Sequence, residues 1–293
     1  MAENDRSTRD GVSRPLQPSW AGPLDQLDAL DSIPPTVLIL GGFMTGPPMY
    51  RSLARCLRER GAAGVVVANV WTPDWLLAGA RGIGPICTRS ARALLAAGRL
   101  SAEVSGGAPV LVVGHSAGGV TARLLTAPEP VAGRRFGAAS RIGAIATLGT
   151  PHRLAAGEGI GSRMNEVGAS LAEAAVPGAF FAPKIGYVSV ASRAITGEPA
   201  GAGRQRVAHL LYRSVIGRAA VPGTEGDGLV PAVAARLDGA TQVTLDDAAH
   251  SPGTMGEWYG SERSLDVWWP VALEVWRGAL RARVGGTPSD RHV

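Results

Sequence analysis

The sequence predicts an α/β protein built on a mostly parallel sheet with helices on both faces. Three observations predict it. From residue 36 onward, short Val/Ile/Leu runs alternate with stretches of helical pattern, in the order β-α-β-α-β-α-β. The runs are apolar throughout instead of alternating with polar residues, as strands covered on both faces are. Glycine and proline are abundant, at 40 and 21, but fall between the apolar segments, where they punctuate turns.

Each element follows from its own pattern. TVLIL (36–40) is a short buried strand, PPMYRSLARCLRER (47–60) a helix opened by proline, and GVVVANV (64–70) a second strand. RSARALLAAGRL (89–100) continues as a helix, PVLVVG (109–114) as a strand, GGVTARLL (118–125) as a helix and IGAIATLG (142–149) as a strand. The rhythm then breaks. Residues 153–186 read as a glycine-rich, partly helical insertion, of a kind able to cap a pocket, before GYVSVAS (186–192) restores a strand. A second irregular passage (193–217) follows, then ATQVTL (240–245) as the last strand. PVALEVWRGALRARV (270–284) is the closing helix, with Pro270 in its first turn and Ala272, Leu273, Trp276 and Leu280 at helical spacing. This organisation places one domain at 36–284, between a flexible N-terminal tail (1–35) and a C-terminal tail (285–293).

The 293 residues, 45% hydrophobic, suffice for a large core without metals or crosslinks. The formal charge of +5 raises the question of an anionic partner. The basic residues are scattered, nearly all arginine, with Lys184 the only lysine, and no aromatics interleave with them as a base-stacking platform requires. Nucleic acid is therefore not the expected partner. The first twenty residues mix acids and bases with no apolar core, unlike a signal peptide, and no run approaches the roughly eighteen apolar residues of a membrane helix. The expected setting is cytoplasmic. Cys56 and Cys87 lie in different helical segments without metal-ligand spacing, and read as buried free thiols.

The segment VLVVGHSAGGVTARLL (110–125) sets a lone serine between glycines at the end of a buried strand. An open parallel sheet binds ligands at the carboxyl ends of its strands, so Ser116 stands where a ligand would. Lifting its hydroxyl into the crevice requires a sharp strand-to-helix turn, and Gly114 and Gly118 let strand and helix approach closely. In this, G-x-S-x-G at 114–118 resembles the nucleophile elbow of the α/β-hydrolase superfamily.

The resemblance implies a nucleophilic serine that needs a base, and a base that needs an orienting acid, in the chain order Ser, Asp or Glu, His. Five histidines are present. His115 lies inside the elbow, His209 in a helical or cap segment, His292 in the tail, and His152 early, at a position suited to pocket lining. His250, in TLDDAAHSPG after the last strand, stands where the base belongs. For the acid, Asp227 in GTEGDGLVP occupies a glycine-flanked loop before the final strand. Asp246 and Asp247 compete, but share the strand end of His250 and are poorly placed to reach its far ring nitrogen. The oxyanion hole would draw one N–H from Ala117 and one from the loop LILGGFMTG (38–46), with Phe43 first and Met44 next. Gly42, Met44, His115 and His152 are the expected substrate-binding residues.

LGTPH (148–152), GDGLVP (226–231), LDGATQVTLDDAAHSP (237–252) and WYGS (258–261) extend the likeness. Together they look like a lipase/esterase-like branch of the superfamily that includes GPI-inositol-deacylase-like and plant or cyanobacterial hydrolases, over about residues 36–282. The unfamiliar tail and the insertion depart from it, which bears on substrate more than on chemistry. The resemblance implies ester hydrolysis through a serine acyl-enzyme, without cofactor or metal, on a small-molecule ester with an apolar acyl or alcohol group. A thioesterase or acyltransferase on the same triad, or a silent fold that binds a ligand or partner, are the competing readings. Phe43, Pro47, Pro48, Met49, Phe180, Phe181, Trp258 and Tyr259 fit either a pocket lining or plain core.

Overall fold

Side-chain parity sorts the apolar runs onto two faces. Along strand β1 (Thr36–Leu40) successive side chains point to opposite sides, so Val37 and Ile39 enter one apolar core, Leu38 and Leu40 the other. Strand β3 (Val110–His115) repeats this, with Leu111 and Val113 facing one way, Val110 and Val112 the other. Continuous hydrophobicity is thus the cost of having no face in water. The computed structural model describes residues 32–155, 160–253 and 256–284. Most of the expected N-terminal tail (1–31), the C-terminal tail with His292 (285–293) and residues 156–159 of the insertion lie outside the described residues.

After β1 come a single 3-10 turn (Pro47–Tyr50), helix α1 (Arg51–Glu59) and strand β2 (Gly64–Val67). Helices α2 (Thr72–Arg81) and α3 (Gly84–Val104) lead to β3, followed by α4 (Ala117–Thr126), β4 (Ile142–Leu148), α5 (Ile160–Ala175) and β5 (Gly186–Ser192). A short strand β6 (Ile195–Gly197), helix α6 (Arg204–Ile216), strand β7 (Thr224–Gly226) and the one-turn helix α7 (Ala232–Ala235) precede β8 (Thr241–Leu245) and α8 (Glu262–Val284). The six-stranded sheet has the order β2-β1-β3-β4-β5-β8, and every pairing in it is parallel. Helices α1 and α8 fill one face, while α2, α3, α4 and α5 contribute to the core on the other.

The closing helix corrects the expectation for Pro270. It begins at Glu262, so Pro270 sits inside it, without the N–H that would bond the Asp266 carbonyl. The helix survives because it is tied down laterally. Trp268 donates its indole N–H to the Tyr259 carbonyl at 2.8 Å, Trp269 to Arg60 at 3.1 Å and Trp276 to Pro109 at 2.8 Å. Helix α2 also escaped the sequence pattern, since the exposed Leu76 and Leu77 blur its apolar stripe. Of the insertion, the helix α5 is described, with Ala169 and Ala172 buried in the second core. Cys56 and Cys87 are both buried and free, and burial pushes the Cys87 thiol up to about 12. No helix among the described residues is long and apolar enough to cross a membrane.

The strand order sets the site. From β1 the chain steps outward to β2, then returns to lay β3 on the opposite side of β1 and continues away through β4, β5 and β8. Loops leaving β1 and β3 therefore diverge to opposite faces and leave a crevice above their carboxyl ends.

Candidate active site

Ser116 stands at that crevice. Its backbone is left-handed (φ 53°, ψ −127°), a conformation costly for a side-chain-bearing residue and characteristic of a functional turn. The turn is held from outside: the Ser116 N–H donates to the Leu148 carbonyl at 2.9 Å, and the Thr150 hydroxyl to the Ser116 carbonyl at 2.9 Å. Gly118 permits the tight exit, because a Cβ there would overlap the Leu40 carbonyl.

Two further strand ends deliver a carboxylate and an imidazole. The His250 Nε2 lies 3.0 Å from the Ser116 Oγ, and its Nδ1 lies 2.7 Å from the Asp227 Oδ2. Backbone joins the same loops, since the His250 N–H donates to the Asp227 carbonyl at 3.0 Å. The Asp227 Oδ1 accepts N–H bonds from Leu229 (2.9 Å) and Val230 (2.7 Å), while Oδ2 also accepts the Tyr259 hydroxyl at 2.9 Å. Burial pushes this carboxyl up, but the His250 imidazole and the converging N–H donors outweigh it and hold the carboxyl below its ordinary value. Burial, reinforced by the Asp227 charge, holds the Tyr259 hydroxyl well above its own, so it remains a donor.

A small two-stranded ribbon places the Asp227 loop. Strands β6 and β7 pair antiparallel, and Tyr212 on the helix between them donates to the Ile195 carbonyl at 2.9 Å while accepting the Gly228 N–H at 3.0 Å. Asp246 and Asp247 take no part. They bond Arg193 at 2.6 Å and Arg263 at 2.8 Å.

Across the crevice, the loop after β1 runs beside Ser116. A Cβ on Gly42 would come within 2.8 Å of the Ser116 Cβ, so the backbone passes directly over the serine. The Gly42 N–H is already taken by the Tyr50 hydroxyl at 2.9 Å. The N–H groups of Phe43 and Ala117 have no partner among the described residues. The Phe43 ring packs edge-on against Trp75, with centroids 5.5 Å apart, whereas Met44 is exposed, as is Trp71, whose ring lies against Gly46 further along the same loop.

Two histidines expected at the substrate are placed otherwise. His115 is 1% exposed and His152 2% exposed. His115 faces the His250 carbonyl with Nε2 (2.8 Å) and the Tyr50 hydroxyl with Nδ1 (2.9 Å). Since a carbonyl only accepts, Nε2 carries the proton. His152 accepts from Arg123 at Nδ1 (3.3 Å) and donates from Nε2 to Thr147 (3.1 Å). Burial drives both below the ordinary imidazole value, His115 to about 3, with the neighbouring His250 and Arg123 respectively adding to it. Both are neutral and have no ring nitrogen left for a ligand. Sequence reasoning missed Tyr50 and Tyr212 and read Tyr259 only as pocket lining or core, because each acts through a hydroxyl whose partner lies on another element. On the α1/α8 face, Cys56, Glu59 and Glu262 bring ligand atoms within 4.8 Å of one another, with both carboxylates exposed, an arrangement common without an ion.

No family model and no curated protein matches the sequence. Solved structures do match. The mature lipase BlEst2 from Bacillus licheniformis aligns over 83% of this chain and 92% of its own, with a TM-score of 0.54 at 17% identity. The metagenomic carboxyl esterase MGS0156 aligns over 84% of this chain and 75% of its own, at a TM-score of 0.45 and 15% identity. Est1E from Butyrivibrio proteoclasticus covers 87% of this chain and 90% of its own, at 0.40 and 12%. The first of these likenesses speaks to architecture, and with the six parallel strands and their flanking helices it assigns this chain the α/β-hydrolase fold.

Proposed function

We propose that the protein is a serine hydrolase of carboxylic esters, working through an acyl-enzyme on Ser116. One observation carries this reading: the unbroken line from Ser116 Oγ through His250 to Asp227, with contacts of 3.0 and 2.7 Å. In the proposed mechanism, Ser116 Oγ attacks the ester carbonyl as His250 Nε2 takes its proton. Asp227 accepts the Nδ1–H, fixing the tautomer, and offsets the charge of the imidazolium. The carbonyl oxygen, now negative, accepts the N–H groups of Phe43 and Ala117, worth about 10²–10³ in turnover for each donor. The imidazolium returns its proton to the leaving alcohol. Water, deprotonated by the same Nε2, then releases the acid and restores the serine.

The surface beside the serine favours an apolar group on the ester. Phe43 is half-buried, the neighbouring Met44 is exposed, and the exposed Trp71 lies against Gly46 of the same loop. A small-molecule ester with an apolar acyl or alcohol portion fits this chemistry, and lipid esters form a subset of that class.

The test is covalent labelling with a fluorophosphonate beside a panel of p-nitrophenyl esters graded by chain length. Wild type is expected to label once per chain and to turn over esters, and Ser116→Ala to lose both while unfolding at the same urea concentration. Stoichiometric labelling of Ser116→Ala places the nucleophile elsewhere and ends this reading.

A further inference from the structure

We propose that Tyr50 and His115 form a positioning relay that joins the loop over the nucleophile to the loop carrying the base, and thereby assigns the oxyanion role to the Phe43 N–H. The proposal rests on the hydrolase reading above.

The relay is one directed chain of hydrogen bonds. The Gly42 N–H donates to the Tyr50 hydroxyl (2.9 Å), that hydroxyl donates to His115 Nδ1 (2.9 Å), and His115 Nε2–H donates to the His250 carbonyl (2.8 Å). Its direction is forced from both ends. An amide N–H can only donate, and a carbonyl can only accept. The Tyr50 proton has a second acceptor in reach, Thr45 Oγ1 at 3.1 Å. His115 Nδ1 is the nearer, and without that proton it would be a buried acceptor with no donor. The Thr45 hydroxyl meanwhile donates to the Gly42 carbonyl at 2.8 Å, fixing the next peptide, the one that carries the Phe43 N–H.

Consequences for the chemistry follow from where Gly42 sits. Three successive N–H groups, those of Gly41, Gly42 and Phe43, lie in the loop that passes the serine. Tyr50 occupies the Gly42 N–H and so removes it from competition. The Gly42 backbone also packs on the Ser116 side chain, so the anchor that fixes Gly42 fixes the next N–H, that of Phe43, relative to Ser116 Oγ. At the other end, the relay holds the main chain of His250, the residue whose ring must stay 3.0 Å from that oxygen. Errors of an ångström at such a site are expensive in rate. The relay itself is packed: the Tyr50 ring lies 5.8 Å from that of His115 and 6.3 Å from that of Trp258. His115 neither reaches the surface nor takes up a proton near neutrality, so it cannot serve as a second base.

Tyr50→Phe is the direct test, since it keeps the ring and removes the hydroxyl. Readouts are kcat and KM on p-nitrophenyl butyrate, the Ki of butaneboronic acid, whose tetrahedral serine adduct places an oxygen in the oxyanion site, and urea unfolding. The expected result is kcat lower by about 10- to 100-fold, less than full loss of a donor because the Phe43 N–H is displaced and not deleted. KM should stay within about twofold, and the boronic acid should weaken by the same factor as kcat. A folded Tyr50→Phe whose kcat and Ki both stay within about twofold of wild type overturns the relay, as does a loss of kcat without weakened boronate binding. Should Tyr50→Phe fail to fold, His115→Gln and His115→Leu decide. Glutamine supplies one donor and one acceptor, whereas leucine supplies neither. His115→Gln should keep the larger share of kcat and boronate affinity, and equal activity of the two variants overturns the proposal. Wild type that neither labels nor turns over esters removes the hydrolase reading itself, and the relay falls with its premise.

Discussion

At Asp227, four donors converge on two oxygens: the N–H groups of Leu229 and Val230, the Tyr259 hydroxyl and the His250 Nδ1–H. The carboxylate is the only side chain of this size with no proton of its own to place there. An amide in its position turns its NH₂ toward a donor whichever way it rotates, and leaves a buried polar group unpaired. Asp227→Asn is therefore expected to lower kcat by about 10³-fold or more, with the imidazole no longer held in the right tautomer. It should also cost about 2–3 kcal/mol in urea unfolding at pH 7. Activity and stability near wild type would show that the carboxylate is not needed. The glycine-flanked acid was readable from local sequence. Its company was not, since Tyr259 lies 32 residues further along the chain.

Elements meet at the site with little clearance. Where α4 crosses β1, a Gly118 Cβ would overlap a main-chain carbonyl, which cannot swing aside as a side chain can. Gly98, in the interior of α3, has open space around its Cβ position. Gly118→Ala should cost about 3 kcal/mol by overpacking, whereas Gly98→Ala should gain about 1 kcal/mol by helix propensity. Parallel urea titrations of the two variants measure both, and equal effects would remove the close-approach argument. The insertion helix α5 is held by a buried cation. Arg123 on α4, 1% exposed, bonds Glu173 at 3.0 Å and the Val176 carbonyl at 2.8 Å. Glu173 is half exposed and adds little, so the buried carbonyl contact and the packed guanidinium dominate. Arg123→Met should destabilise the protein by about 1–3 kcal/mol, and hydrogen exchange should rise first in α5. Unchanged exchange in that helix would mean the anchor lies elsewhere.

For the molecule as a whole, neutral buried imidazoles make stability fall with acid. His115 and His152 are held below their ordinary value in the fold, whereas in the unfolded chain they take up protons as pH drops below about 6.5. The unfolded state then binds more protons than the native one, so stability is full above that pH and is lost on descent toward the native value, about 3 for His115. With both histidines contributing, the slope near pH 5 should approach about 2.7 kcal/mol per pH unit. Urea unfolding at pH 7, 6 and 5 measures it, and a flat curve would contradict the burial of both rings. A folded His115→Gln variant should show about half that slope.

Over the same whole chain, the sequence determined what is local: the identity of the main strands and most helices, the serine turn at 114–118, and the glycine-flanked Asp227 loop. Each rests on residues within a few positions of one another. Its failures were also local in cause. Pro270 signalled a helix start because a proline usually marks one, and only the indole bonds of Trp268, Trp269 and Trp276 show how the helix passes through it. Tertiary structure alone decided which groups meet. Ser116 and His250 are 134 residues apart in the chain, and the parallel sheet brings the carboxyl ends of β3 and β8 to one edge, where the two side chains meet at 3.0 Å. The same assembly turned His115 and His152 inward. A hydrogen bond depends on distance and direction in three dimensions, and sequence spacing encodes these only within a single strand, turn or helix.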